Sequence, residues 1–386
     1  MKKILFALSL FSLPLVVNAQ VSTRLAIAPR LQWPNNDGYC GENSIQMCGL
    51  YYGEYISERL CRRVAGGEVL IYVNDTAALD TLSFTYSEWN PNVATPQYMG
   101  YLDWVKQFLN KKQPVIITVY VSGGTDPDYD HIIPAIGFYA KNVNTYTSTD
   151  SLTYNSNFDT IPFTRPFSNM YATRVGAGNS APYPYYIPQG TDYGVAVTGN
   201  KDPGRVTRPV HITLDSNEEP NITLGASPCI LRATIIADSL TIGKQYALLR
   251  YNDYRSVPSV NFAPSGASST VYFTATSVTH TVIDSFMSDT AVFYRCIPYV
   301  ATGINAVYTA YDGPTIYPNP SLGKITLQFG SSVSRIEIVD ALGQVIQDLN
   351  VSGKGNKSVF VQNKGIYFVR FIDGDRTEVK KIEIIR

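Results

Sequence analysis

The stretch LQWPNNDGYCGENSIQM, residues 31–47, holds the strongest structural signals in the sequence. An Asn, Asp and Gly turn at 36–38 precedes Cys40, and these residue types are typical of a tight turn. Apolar residues then recur at helical spacing at Ile45, Cys48, Leu50 and Tyr51. The pattern predicts a helix that begins at Cys40 and runs to about residue 52.

Outward from this helix, the pattern shifts from helices to strands. Helical spacing returns at 58–64 and at 101–110 (YLDWVKQFLN). The segments PVIITVYV (114–121), HIIPAIGFYA (131–140) and LTYNSNF (152–158) are instead typical of strands. This mixture predicts an α+β domain over residues 20–192.

Beyond a loop-rich stretch, one strand pattern follows another to the end of the chain. Alternating segments such as HITLD, ILRATIIA and AVFYRCIPYV, separated by turn residues, predict an all-β sandwich over 193–302. A linker at 303–314 leads to a compact β unit, a small C-terminal β-sandwich at 315–386.

Residues 1–19 carry the pattern of a secretory signal peptide. Lys2 and Lys3 precede an apolar run from Ile4 to Val17, and small residues end at Ala19, where a signal peptidase would cut. The run is shorter than the roughly 20 residues that a spanning helix needs. We expect export, removal of this segment and no stable membrane span.

Charge is sparse and balanced. Charged residues make up 16% of the chain, with 31 Lys and Arg against 31 Asp and Glu. A nucleic-acid-binding domain would present a basic face, so we expect no nucleic-acid partner. Since no His, Cys and Asp residues have metal-ligand spacing, we also expect no metal and no cofactor.

The cysteine count is odd. Cysteines in an oxidising compartment mostly pair, and an odd number leaves one free. Proximity in sequence suggests Cys48 with Cys61 and Cys229 with Cys296, although spacing alone does not fix the connectivity. Cys40 is then the free thiol.

Cys40 has the setting of a nucleophile. At a helix start, its sulfur would lie near unpaired backbone N–H groups, which favour a thiolate and can hold an oxyanion. Its base must be a histidine. His131 opens a buried strand beside a loop, whereas His211 and His280 lie within alternating strands and are interpreted as sheet-face residues.

Two further roles need polar side chains near this pair. Gln32, upstream of Cys40, is the amide expected to help hold an oxyanion. A third group should orient the histidine ring from the next strand. The candidates, in order of preference, are Asn155, Asn157 and Asp150.

The order of these parts resembles papain-like cysteine peptidases. The spacing is most similar to the compact branch that processes bacteriocin leaders, with GYCGENS and DHIIPAIGF as the local motifs. The resemblance covers about residues 28–160 and implies a papain-like α+β fold. It also implies that Cys40 is the nucleophile, His131 the general acid–base, Gln32 the oxyanion donor and Asn155 or its neighbour the orienting group.

The C-terminal segment carries a second resemblance. The motifs IYPNPSLGKITLQF, RIEIVDALGQVI, KGIYFVRF and VKKIEIIR fall in the order found in the C-terminal sorting domain of type IX secretion cargo from Bacteroidetes. The resemblance covers about residues 315–386. It implies the type IX secretion machinery as a partner, and a final location on the outer cell surface or in the medium.

Three functions fit these observations. The leading hypothesis is a secreted cysteine peptidase-like hydrolase that acts on peptide or protein substrates through a Cys-His-Asn/Asp arrangement. A second is a non-catalytic surface adhesin or binding protein on a papain-like scaffold, suggested by the size of the β-rich region. A third is an amidase with the same chemistry that acts on cell-wall peptides.

Overall fold

The structure is a computed structural model that describes residues 20–34, 38–125, 127–177, 185–299, 314–330, 333–374 and 376–385. The predicted signal peptide, part of the turn at 36–38 and nearly all of the predicted linker lie outside these residues. The chain divides into two compact units, residues 1–300 and 301–386.

The elements of the first unit follow in a mixed order. Its helices and strands are β1 (Val21–Arg24), α1 (Cys40–Tyr51), β2 (Glu54–Ile56), α2 (Glu58–Ala65), α3 (Asp75–Thr81), β3 (Phe84–Glu88), α4 (Tyr98–Asn110), β4 (Val115–Val119), β5 (His131–Ala140), β6 (Ser151–Tyr154), β7 (Phe163–Pro166), β8 (Tyr171–Ala172), α5 (Arg174–Ala177), β9 (Ile187–Pro188), β10 (Gly194–Asn200), β11 (Val210–Leu214), β12 (Ile230–Ala237), β13 (Gln245–Tyr251), β14 (Ser269–Thr274), β15 (His280–Met287) and β16 (Ala291–Pro298). Short 3-10 turns lie at Phe167–Asn169, Ile222–Leu224, Tyr254–Ser256 and Pro264–Gly266.

The N-terminal part of this unit is built on one antiparallel sheet. Its strand order is β3-β10-β4-β5-β6-β7, and β1 pairs with β5. Successive side chains of a strand point to opposite faces. Accordingly, Ile116 and Ile132 enter one hydrophobic core, which also contains Cys40, and Ile117 and Ile133 enter a second core under α4.

The C-terminal part of the unit is the predicted sandwich, with two differences. One sheet has the order β11-β12-β15 and the other β14-β13-β16-β2. Strand β10, inside the range expected for the sandwich, belongs to the first sheet and pairs with β3 and β4. Strand β2, from the start of the chain, pairs with β16. Because β2 and β10 each pair with strands of the other part, the two parts form one unit.

The second unit is a small antiparallel β-sandwich. Its strands are β17 (Thr315–Tyr317), β18 (Lys324–Phe329), β19 (Arg335–Asp340), β20 (Val345–Asn350), β21 (Gly355–Phe360), β22 (Gly365–Asp373) and β23 (Arg376–Ile384). One sheet has the order β17-β18-β21 and the other β20-β19-β22-β23. Apolar side chains of both sheets, including Leu327, Ile338 and Val369, form its core.

The expected disulfides are not formed. All five cysteines are free thiols, and Cys229 is exposed whereas the other four are buried. Cys296 lies in the sandwich core, so its sulfur does not meet the exposed Cys229. Cys48 and Cys61 share one core as unpaired thiols. The expectation of two bridges was therefore wrong, and a free Cys40 is not exceptional in this chain.

Candidate active site

The sequence-predicted site residues lie at one end of the first sheet, where α1 and β5 begin. Helix α1 starts at Cys40 and strand β5 starts at His131, as the sequence predicted. The segment that follows β6 continues alongside β5, because the backbone N–H of Asn155 donates to Pro134 O at 3.1 Å. Residues far apart in the sequence are thus neighbours here.

Asn157 holds these segments together. Its side-chain Nδ2 donates to Cys40 O at 3.0 Å and to Ile132 O at 2.9 Å. The backbone carbonyl oxygen of Asn157 accepts a hydrogen bond from the backbone N–H of Gln32 at 3.0 Å. Asn157 has a φ of 66°, a left-handed conformation that asparagine tolerates better than most residues. Its role in the structure is to link α1, β5 and the segment before α1.

The Cys40 thiol is buried and protonated at neutral pH. Only 8% of the residue is exposed, and burial raises the pKa of its thiol to about 12. Backbone hydrogen bonds from Ile132 and Gly41 lower the pKa, whereas the carboxylates of Glu42 and Glu68 raise it. Desolvation therefore outweighs the effect expected from a helix start. Among the groups that raise the pKa, only Glu42 lies near Cys40 in the sequence.

The His131 ring is also buried and is held by a backbone carbonyl. Its Nε2 lies 2.9 Å from Ser156 O, and the ring stacks on Phe158 with 4.8 Å between centroids. Since a carbonyl only accepts, Nε2 carries the proton and Nδ1 does not. Burial lowers the pKa of the ring to about 4, so it is neutral at pH 7.

Cys40 lies beside Ile132, the residue after His131, because Asn157 Nδ2 donates to the backbone carbonyls of both Cys40 and Ile132. Among the described hydrogen bonds, none joins the side chains of Cys40 and His131. His131 pairs with Val119 across the sheet, and paired residues point to the same face. Val119 belongs to the second core, and Cys40 belongs to the first. The two side chains thus approach the sheet end from different faces.

The proposed orienting residues have other partners. Asn155 Nδ2 donates to Ile27 O at 3.3 Å and contacts Met47 Sδ at 3.4 Å. Asp150 forms a buried ion pair with Lys106 at 2.9 Å and lies at the far end of β6. The group that orients the ring is instead the Ser156 carbonyl. A backbone carbonyl has no signature in the sequence, which is why it was missed.

Gln32 keeps an unused side-chain amide at this site. The side chain makes no hydrogen bond to any residue that the structure describes, and its Oε1 is buried. Only its backbone N–H is engaged, with Asn157. The oxyanion role expected of Gln32 would need its Nε2 group as a donor.

Metal ligation finds no support in the described ranges. In that part of the chain, no group of three or more His, Cys, Asp and Glu residues is placed to hold a metal ion. The same residues include no helix long and apolar enough to cross a membrane.

The C-terminal unit is a small two-sheet β-sandwich, and its motifs are those expected of a sorting domain. Residues 315–385 match the family of the secretion system C-terminal sorting domain. A comparison with curated proteins found no match. The chain thus carries a type IX sorting domain at its C-terminal end, which indicates secretion to the cell surface or the outside.

Proposed function

We propose that the first unit is a secreted cysteine hydrolase that cleaves peptide bonds, with Cys40 as nucleophile and His131 as general acid–base. The observation that carries the proposal is the convergence of Gln32, Cys40, His131 and Asn157 at one end of the first sheet. A cysteine at a helix start and a histidine base from a neighbouring strand are the two groups that this chemistry uses.

The reaction assigns one task to each group. The Nδ1 of His131 takes the thiol proton, and the Cys40 sulfur attacks the carbonyl carbon of the substrate. Backbone N–H groups at the start of α1 and Gln32 Nε2 hold the oxyanion. His131 then gives the proton to the leaving amine. Water, deprotonated by His131, releases the acyl group and restores the thiol.

This reaction requires the site to rearrange when substrate binds. The Cys40 sulfur must come within hydrogen-bond reach of His131 Nδ1, which the described conformation does not provide. Such contacts are often long in unliganded enzymes and tighten in the substrate complex. A substrate that opens the site would also expose the thiol and lower its pKa.

The second candidate is a non-catalytic binding protein. The burial of Cys40, its protonated thiol and the opposite faces of Cys40 and His131 favour it. On this proposal the papain-like arrangement serves as a scaffold only, and the ligand is bound elsewhere.

A peptide library and a set of cell-wall stem peptides would decide between the two. The hydrolase proposal predicts cleavage by the wild type and loss of cleavage in Cys40→Ala and His131→Ala, by about 10³-fold or more. Cys229→Ala, which removes an exposed thiol, is the matched control and should retain full activity. If Cys40→Ala cleaves as the wild type does, the mechanism is wrong.

Labelling with a thiol-reactive substrate mimic gives an independent readout. A hydrolase should be labelled at Cys40 in the presence of a matching peptide sequence, whereas a scaffold should be labelled at the exposed Cys229 only. Absence of both cleavage and Cys40 labelling would support the binding protein. Cleavage restricted to stem peptides would assign the substrate class to the cell wall.

A further inference from the structure

A large cavity lies away from the candidate active site. Its volume is about 800 Å³, and its lining includes Tyr51 at the end of α1, the end of β10 and the start of β11. Cys40 begins α1, so the two sites are roughly 16 Å apart along the helix, at about 1.5 Å per residue. The volume is in the range of ligand pockets in proteins. What this cavity binds is independent of the proposed hydrolase.

The cavity concentrates positive charge in a chain without net charge. Six cationic side chains line it against a single carboxylate, that of Asp202. The six are Lys111, Lys112, Lys201, Arg205, Arg208 and Arg295. The Asp202 carboxylate is occupied by hydrogen bonds from the backbone N–H and hydroxyl of Thr207, both at 2.8 Å. The field inside the cavity therefore attracts anions.

Only part of this charge is neutralised by the protein. Lys201 pairs with Asp80 at 3.0 Å, and Arg295 pairs with Glu54 in the interior. The other four cations have no carboxylate within ion-pair distance among the residues that the structure describes. Their other contacts are weak or uncharged. Lys112 Nζ donates to Thr23 Oγ1 at 3.4 Å, Lys111 Nζ lies 5.0 Å from the centre of the Phe108 ring, and Arg208 bonds the Tyr246 hydroxyl. An anionic ligand would have to replace these contacts.

Two of these cations occupy turns whose backbone suits glycine. Lys112 has a φ of 63° and Arg205 a φ of 49°. Lys112 closes the end of α4, where its N–H donates to Leu109 O at 2.9 Å. Glycine is the usual residue in this left-handed position, because a side chain there costs free energy. Both positions would therefore accept glycine without a conformational cost.

The rest of the lining offers hydroxyls, amides and aromatic faces. The Thr198 hydroxyl donates a hydrogen bond to the Thr85 hydroxyl at 2.9 Å. The ring centroids of Tyr51 and His211 are 4.9 Å apart. Apart from prolines, Val210 is the sole aliphatic side chain among the described lining residues. Such a lining matches a ligand that combines negative charge with many hydroxyls, and aromatic side chains can bury the apolar face of a sugar ring.

We propose that this cavity binds an oligosaccharide that carries carboxylate or sulfate groups. The lysines and arginines without a carboxylate partner bind the anionic groups. The amide oxygens of Gln113 and Asn200, which are buried and have no hydrogen-bond partner among the described residues, accept from the sugar hydroxyls. An acidic peptide matches only the charged part of the lining, since it offers few hydroxyls and no rigid rings.

Calorimetric titration of the full-length protein tests the proposal. The probes are a galacturonate tetrasaccharide, a heparin-derived sulfated tetrasaccharide, the neutral maltotetraose and a poly-glutamate peptide. We expect at least one acidic tetrasaccharide to bind more tightly than the other two probes, with affinity that falls as salt increases. The two acidic sugars distinguish carboxylate from sulfate recognition.

The decisive variant combines Lys112→Gly with Arg205→Gly. Because glycine suits both turns, this variant should fold with unchanged or higher stability and lose affinity by about tenfold or more, since charge-assisted contacts are lost. The matched control, Arg232→Thr with Lys244→Ala, removes two exposed cations outside the cavity and should bind as the wild type.

Three results would overturn the proposal. They are equal binding by the neutral sugar, tighter binding by the peptide, and unchanged affinity in the glycine variant. Absence of binding by both acidic sugars would overturn it as well.

Discussion

Asp192 is a buried carboxyl group that the fold leaves without a partner. It is fully buried, and neither carboxylate oxygen has a hydrogen-bond partner among the described residues. Desolvation raises its pKa well above the usual value. The folded state thus binds this proton more tightly than the unfolded state, so stability falls as pH rises above the unfolded pKa of about 3.9.

Replacement of this carboxyl group should stabilise the protein at neutral and alkaline pH. We expect Asp192→Asn to raise the free energy of unfolding at pH 8 by about 1–3 kcal/mol, and to change it little at pH 4, because the amide resembles the protonated acid. Urea denaturation at both pH values measures this. The exposed Asp215→Asn should be neutral at both. A loss of stability at pH 8 in Asp192→Asn would contradict the assignment.

At the residue scale, the sequence predicted where the candidate site residues lie in their elements, but not their protonation or their hydrogen-bond partners. Cys40 and His131 were placed at a helix start and a strand start from local patterns, and both positions were confirmed. The direction of the thiol pKa was not predictable, because it depends on burial by segments distant in sequence. The same holds for Ser156, which contributes only a backbone carbonyl.

Among the elements, α1 depends on a glycine that permits close packing. A Cβ on Gly41 would lie 2.3 Å from Val69 O and 2.8 Å from Val69 Cβ. Both distances are shorter than any ordinary contact, so the start of α1 and the segment at Val69 would have to move apart. Cys40, the neighbouring residue, would move with them.

Gly41→Ala should therefore destabilise the first unit by about 1–3 kcal/mol, as overpacking does in other cores. Guanidinium denaturation gives this difference directly. Gly67→Ala is the matched control, since a Cβ there meets nothing within 4 Å. Should the two variants unfold at the same denaturant concentration, the tight packing of α1 on Val69 is not present in solution.

Helices and strands with strong local patterns were predictable, whereas their partners were not. The sequence placed α4 and β5 because helical spacing and continuous apolar runs are local signals. It assigned β10 to the sandwich, although β10 pairs with β3 and β4. A strand pattern specifies a pleated, half-buried surface, and the choice of neighbour is made by packing across the whole unit.

For the whole molecule, the sorting domain makes a testable claim about location. Removal of residues 315–386 should leave the first unit folded and retained inside the outer membrane, with nearly all of it lost from the surface and medium. Cell fractionation with immunodetection measures the distribution. The full-length Cys40→Ala variant, in which the sorting domain is intact, should be exported normally. Surface display of the truncated chain would show that another segment directs export.

The pairing of β2 with β16 also has a consequence for biogenesis. Glu54 and Phe293 are register partners, and Leu50 and Tyr55 pack in the sandwich core. These contacts join the start of the unit to its last strand, and such distant contacts slow folding because long loops must close first. We expect the nascent chain to stay incompletely folded until β16 has been translocated. Periplasmic chaperones would therefore meet an almost complete chain, and not a finished N-terminal domain followed by a second one.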